Sequence, residues 1–331
     1  MLELRLSFAC ICLSLRKDVF CSRSAIVKTV VDMGEKRGIK YLKQLAIQNI
    51  KDLLTILIWN EEHGIRFFRI SSNVFPHLGN DILLAKWPKN RYLKGDIKFA
   101  APLLEEVGLF AKQHDHRLTF HANPYIQLGA IDATVLRKSL FDLNTHVEII
   151  KMMKQQPGYS VIVIHAGGRY DSKIETLKRV DKVFSEMSND MRNCLTLEDD
   201  ERIYNPLDLL PLCEKWNIPF TLDVFHNKIS KDHVKITPEF LNRVFKTWSV
   251  RKVPPKMHLS EQKKDDRFGA HSDYLDVIPD WLLKLDILGV PRLDLMIETK
   301  MKDLSVLRLL DKYFTKTERK GRVYWILKNK N

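Results

Sequence analysis

Successive apolar runs of the sequence end in side chains that bind metal ions. LTFH closes on His121, VIVIH on His165 and LTLE on Glu198; FTLDVFH delivers Asp223 and His226, KMH delivers His258, and LMIE ends at Glu298. His271 follows in the loop after the run that carries His258. A single histidine in such a place is more often a hydrogen-bonded rim residue, and a single glutamate a salt-bridge partner. Repetition at the same point of run after run argues otherwise, because buried ionisable groups are costly unless paired or bound to metal. The mixed nitrogen and oxygen donors suit Mn, Zn or Fe better than an all-oxygen Mg or Ca site. They outnumber the ligands of one tetrahedral ion, so two or three metals are expected. Close metal pairs clamp the attacking and leaving oxygens of a phosphoester, and metal-assisted phosphoester hydrolysis is the chemistry such a set serves.

Lys256 stands two residues before His258, so on a strand both face the same way. An ammonium beside metal ions is repelled. The lysine is then deprotonated, modified to an anion, or turned away with its stem snorkelling to the rim. The remaining histidines fall outside the pattern. His63 precedes a helix C-cap, His114 and His116 flank a helix–strand turn where solvent is expected, and His146 and His233 have no partner in view.

Bringing these ends together requires a parallel barrel. The expected order opens with a strand at Leu4–Ala9, a loop through the polar run Gly34–Lys40, and a helix at Tyr41–Asn60 closed by Gly64. Further helices are expected at Pro102–His114, Thr134–Met153, Lys173–Met187, Leu207–Trp216, Pro238–Ser249, Tyr274–Leu285 and Leu304–Tyr313, each with an apolar strand before it. Nearly unbroken apolar strands alternating with amphipathic helices indicate a parallel sheet covered by helices. Eight such units predict an α/β fold, a single-domain (β/α)8 TIM barrel over residues 1–313, whose active site lies at the strand C-termini. Residues 314–331 form a basic C-terminal extension with a short aromatic, hairpin-like patch. A doubly wound sheet would need a Gly-rich phosphate turn early on, and HAGG after the fourth strand lacks the GxGxxG spacing.

The 331 residues are 45% hydrophobic and 29% charged, ordinary for a globular protein with a large core. The balance of 54 Lys+Arg against 41 Asp+Glu is not ordinary: a net charge of +13 favours a polyanionic partner, nucleic acid first. The basic loops KWPKNRYLKG, RKVPPK and QKKDDR are expected to line the rim and contact phosphates. Five cysteines form no CxxC pair, and Cys10 and Cys12 alternate within the first strand; a reducing intracellular compartment, cytoplasm or nucleus, fits them. LRLSFACICLSL resembles a signal h-region without its charged leader or cleavage site, and it is too short to span a bilayer, so no membrane partner is expected.

The ordered series FFRISS…P, LTFH…Y, VIVIHAGG, LTLEDDERIYN, TLDVFH, PKMHLS…GAHSDY and MIETKMKD closely resembles the UV-damage endonuclease family, TIM-barrel nucleases related to the endonuclease IV type, from about Arg5 to Lys302. The resemblance implies incision of damaged double-stranded DNA immediately 5′ of pyrimidine dimers and 6-4 photoproducts. It implies Mn²⁺ as cofactor, with Zn²⁺ or Mg²⁺ as substitutes, and a monomer with no protein partner. It makes metal ligands of His121, His165, Glu198, Asp223, His226, His258, His271 and Glu298, and sets Lys256 beside them. Catalytic expectations fall on Glu198, Lys256 and His258, and substrate contacts on Phe8, Asn123 and Tyr125. Two departures stand out. Asn80 stands where the family has a further histidine, with His77 next to Pro76 as the nearest imidazole. The family's His-Pro-Gly-Gln-Tyr becomes His121-Ala122-Asn123-Pro124-Tyr125, which keeps Tyr125 but puts Pro124, without a donor, where a glutamine probes the lesion.

Three other readings compete. An endonuclease of broader or abasic-site specificity would keep the same ligand ring. A metal-dependent sugar isomerase of the same fold class would leave the net charge of +13 without a reason. A DNA-binding module on a vestigial barrel would show broken ligand sets.

Overall fold

Strand residues two apart share a face, and in this chain the two faces differ in chemistry. The computed structural model describes residues 2–328. In chain order the elements are β1 (Glu3–Ser7), α1 (Val27–Asp32), α2 (Gly34–Glu62), β2 (Phe67–Ile70), α3 (Asp81–Lys86), α4 (Ala101–Gln113), β3 (Arg117–His121), α5 (Ala133–Met152) and β4 (Ile162–His165). They continue with α6 (Lys173–Glu186), α7 (Asn189–Cys194), β5 (Leu195–Glu198), α8 (Pro206–Trp216), β6 (Phe220–Asp223), α9 (Val224–Ile229) and α10 (Pro238–Ser249). The last are β7 (Lys256–Leu259), β8 (Arg292–Ile297), α11 (Lys302–Tyr313), and the antiparallel pair β9 (Phe314–Arg319) and β10 (Arg322–Leu327).

The first eight strands form one parallel sheet in the order β1-β8-β7-β6-β5-β4-β3-β2. Between β1 and β2, Ala9 bridges to Arg69 and the Ser7 hydroxyl donates to the Phe67 carbonyl. The sheet is therefore rolled nearly shut, which is the expected (β/α)8 TIM barrel.

The large hydrophobic core lies outside the barrel, between strands and helices. Leu4, Leu6, Phe120, Ile162, Ile164, Leu197, Leu222 and Leu295 all face it. On α10, Phe240, Leu241, Val244, Phe245 and Trp248 recur at helical spacing and are buried, each worth about 1.5–3 kcal/mol of transfer free energy. Residues of opposite parity point into the barrel and are largely polar. At its N-terminal end Arg5 and Arg117 grip Asp294, with Nε–Oδ1 at 2.6 Å and Nη1–Oδ2 at 2.8 Å. Higher up, the Thr196 and Thr221 hydroxyls meet at 2.9 Å. The C-terminal layer carries the His, Asp and Glu set.

Beyond the barrel, β9 and β10 pack under its N-terminal end. Arg66 donates to the Val323 carbonyl, Arg322 to Glu61 and Trp325 to the His63 carbonyl, each at 2.7–2.8 Å. Gly64 sits beneath this hairpin with φ +71°, and a Cβ there would lie 2.9 Å from Val323.

Several boundaries differ from expectation. The run Gly34–Lys40 is the first two turns of α2 rather than a loop: its polar residues are the solvent face of a helix whose Ile39, Leu42 and Ala46 are buried. The helix expected at Tyr274–Leu285 is a 3-10 segment at Leu282–Leu288, because Pro279 lacks an N–H and disfavours helix at Ile278. β1 ends at Ser7, and Cys10, with φ +68°, lies in the following loop instead of alternating with Cys12 in the strand. All five cysteines are free thiols. Among the described residues no helix is long and apolar enough to cross a membrane.

Candidate active site

Strands β3 to β8 deliver their functional side chains by inward parity at or beside the C-terminal residue, His258 being the last but one of β7. His121, His165, Glu198 and Asp223 are the last residues of β3, β4, β5 and β6, and Glu298 directly follows β8. Asp223 also caps α9, accepting from the backbone N–H groups of Phe225 and His226 at 2.7 and 3.0 Å, which turns the chain so that His226 rejoins the site.

Seven of the eight expected ligands meet there in three overlapping triads. They are His121–His165–Glu198, Glu198–Asp223–His226 and Asp223–His258–Glu298, with donor atoms inside each triad within 4.8 Å of one another. Glu198 and Asp223 each belong to two triads, so the three positions form a connected row. Glu198 Oε2 lies 2.7 Å from His121 Nε2 and 3.6 Å from His165 Nε2. His258 Nδ1 lies 2.5 Å from Glu198 Oε1 and 3.2 Å from Glu298 Oε1. His271 reaches the same rim, its ring 6.3 Å from that of His226 and its Nδ1 2.8 Å from the Ser260 hydroxyl, but it belongs to none of the triads.

The electrostatics are those of a cation site. Burial raises the Glu198 carboxyl, but the His258, His165 and His121 imidazoles outweigh it and hold the group well below the usual carboxylate range. Burial would lower His226, yet Asp223, Glu198 and Asp199 raise it to about 10. Burial lowers Lys256 to about 7, with Arg69 adding to the effect and Glu198 opposing it. Lys256 is wholly buried, so it does not snorkel to the rim; its ammonium contacts His258 Nε2. Asp223 Oδ2, Asp199 Oδ2 and His165 Nδ1 are buried with no hydrogen-bond partner among the described residues. Orphaned buried oxygens beside imidazoles at ligand spacing fit divalent metals.

Other expected contacts fare differently. Phe8 does not reach the site. It shares parity with Leu4 and Leu6, so it points outward and is fully buried edge-on against Phe68 and Trp59, with ring centroids at 5.3 and 6.2 Å. Tyr125 is 63% exposed on the loop after β3, and its hydroxyl accepts from Asn123 at 2.7 Å. His77 does not join the ring: its Nε2 donates to the Ala25 carbonyl at 2.6 Å, and Asn80 caps α3. RKVPPK lies at the wrong end of the barrel, since it precedes β7 and Arg251 binds the carbonyls of Asn217 and Asn193 ahead of β6 and β5. His116 is buried rather than solvated, 3.0 Å from Glu61. His146 is also buried, its Nδ1 donating to the Asp142 carbonyl at 2.8 Å.

Sequence reasoning missed Arg69, Asp199 and Gln127. Arg69 pairs with Glu298 and interrupts the apolar β2, which was its signal. Asp199 lies behind Asp223, and burial with that neighbour pushes its carboxyl well above the usual range. Gln127 ties the β3 loop to the β4 loop by accepting from Gly168 N–H at 2.5 Å.

The UV-endonuclease UvdE family model matches residues 4–323. The chain belongs to the UV-damage endonuclease family. A provisionally named UV-damage endonuclease of Acanthamoeba polyphaga mimivirus is 41% identical over 98% of this chain and 96% of its own length. The UV-damage endonuclease of Schizosaccharomyces pombe is 34% identical over 93% of this chain, which spans 50% of that longer protein. The crystal structure of SacUVDE superposes with a TM-score of 0.75 at 25% identity, covering 94% of this chain and 99% of that one. A UV-damage endonuclease of this family is a nuclease that acts in DNA damage, and the three triads sit where a barrel enzyme holds its chemistry.

Proposed function

We propose that the protein hydrolyses the backbone of double-stranded DNA immediately 5′ of pyrimidine dimers and 6-4 photoproducts, using two or three divalent metals, Mn²⁺ first. The supporting observation is the row of triads joined through Glu198 and Asp223. His121, His165, Glu198, Asp223, His226, His258 and Glu298 would hold the ions, with His271 at the rim as a further donor. Bound there, divalent ions supply positive charge to the phosphoryl oxygens and make water nucleophilic near neutral pH.

The chain's own groups do the rest. In the metal-free protein Glu198 gathers the His121 and His258 imidazoles through its two oxygens, and a bound cation would take the place of those hydrogen bonds. Lys256, near neutrality, can exchange a proton with His258 at the base of the site. Asn123 positions the Tyr125 phenol, whose exposed ring is placed to stack against bases unpaired by damage. The reading is tested by counting ions. Native mass spectrometry of the protein loaded with Mn²⁺ should show two or three per chain, with fewer in Asp223→Ala. No bound metal, alongside nicking of damaged duplex in a chelator, would contradict it.

A further inference from the structure

We propose that the cavity between the β7 and β8 loops is a subsite for a DNA backbone phosphate neighbouring the one that is cut, held by Lys302 and Arg267. This rests on the nuclease reading above. The cavity, about 380 Å³, is lined by Glu298 and His271 and is therefore continuous with the metal-binding row. Four cationic side chains line it: Arg69, Arg267, Lys300 and Lys302. Two of them are already neutralised, Arg69 by Glu298 and Lys300 by Asp266 at 3.3 Å. The side chains of Lys302 and Arg267 have no hydrogen-bonded or ion-pair partner among the described residues, so the cavity keeps two uncompensated positive charges.

One further observation points to a ligand. Thr299 is 1% exposed and lines the cavity, and its Oγ1 is buried without a partner. A buried hydroxyl left unpaired is uncommon, and here it stands among cations as a ready donor to an anionic oxygen. Lys302 is the first residue of α11 and takes a positive φ of +44° there, as Lys154, Lys252 and Lys320 take positive φ at turns elsewhere in the chain. No Phe, Tyr or Trp lines the cavity, which argues against a nucleobase. An anion with several acceptor oxygens, one nucleotide along from the reacting phosphate, matches charge, donors and location.

The test uses duplexes with one thymine dimer in which each phosphate near the lesion is replaced in turn by an uncharged methylphosphonate. Binding is read by fluorescence anisotropy without metal, and nicking with Mn²⁺. The wild-type protein should lose about tenfold in affinity at one position other than the nicked one. Lys302→Gln should bind the unmodified duplex about tenfold more weakly, lose its sensitivity at that position, and lower the salt slope by about one. Arg267→Ala, on the exposed loop, provides the same reading if Lys302→Gln does not fold, and Lys246→Ala on α10 should change nothing. Wild-type nicking combined with unaltered methylphosphonate patterns in both variants would overturn the subsite alone. Saturable binding of inorganic phosphate that Lys302→Gln abolishes, with the duplex pattern unchanged, would overturn it in favour of a free-phosphate site. A wild-type protein that neither binds nor nicks the damaged duplex would overturn the nuclease reading and the subsite with it.

Discussion

Glu198 on β5 accepts a hydrogen bond from Nδ1 of His258 on β7 at 2.5 Å, although β6 lies between the two strands. The reach is possible because both side chains point into the barrel, and it makes Glu198 the member common to opposite halves of the ring. Glu198→Gln keeps the shape but removes the charge that both imidazoles and any cation share. Nicking should fall by about a hundredfold or more, with metal affinity reduced to match, while the thermal unfolding of the metal-free protein stays cooperative. Unchanged affinity by metal titration would contradict this.

Lys256 gives the metal-free protein a pH signature. Its folded value near 7 lies below the ordinary 10.5, so between these values the unfolded chain holds a proton that the folded chain lacks. The contribution of Lys256 to stability therefore rises with pH across that window, against the falling contribution of His226. Urea denaturation from pH 7 upward should give a more positive slope of stability against pH in the wild type than in Lys256→Met, where the fall from His226 is unopposed; an identical slope in both would contradict the assignment.

His226 behaves in the opposite sense. Raised to about 10, it favours the folded metal-free state fully below its ordinary 6.5, and that contribution is lost as pH rises through 10. A metal takes the neutral imidazole, so loading near neutral pH must expel this proton. Calorimetry in two buffers of different ionisation enthalpy should report about one proton fewer released in His226→Gln. Equal proton release would remove His226 from the ligand set.

Asp294 anchors the other end of the barrel. Both Arg5 and Arg117 depend on it, and all three are buried. Asp294→Asn should destabilise the fold by about 3–5 kcal/mol, the cost of leaving buried charge uncompensated. Loss of nicking without loss of stability in that variant would assign Asp294 a different role.

Phe8 and Tyr125 separate packing from recognition. Phe8→Ala should cost about 3–5 kcal/mol of stability through the cavity it leaves, with metal binding retained at low temperature. Tyr125→Ala should leave the melting temperature in place and weaken binding of dimer-containing duplex by about 1–3 kcal/mol. Anisotropy and thermal melts of the two variants decide it, and exchanged phenotypes would contradict the placement.

Most of the barrel and seven of its ring residues were legible because strand parity and strand ends leave a local mark: an apolar run that stops on a charged or imidazole side chain. Phe8 was misplaced although the same rule, applied from Leu4 and Leu6, turns it outward. RKVPPK was misplaced because basic composition says nothing of which end of the barrel a loop occupies; its position before a strand does. The Gly34–Lys40 turns of α2 read as a loop because nearly all of their surface is solvated. Arg69 and Asp199 escaped because their partners, Glu298 and Asp223, are distant in sequence and meet only when the barrel closes.

The central claim is metal-assisted incision at this ring, and one measurement addresses it directly. A duplex with a single thymine dimer, labelled at the 5′ end of the damaged strand, is incubated with the protein and Mn²⁺, and the product is sized at nucleotide resolution. The account predicts one nick immediately 5′ of the dimer, abolished by chelator and by Glu198→Gln. Intact strands, nicks unrelated to the lesion, or full nicking by Glu198→Gln would contradict it.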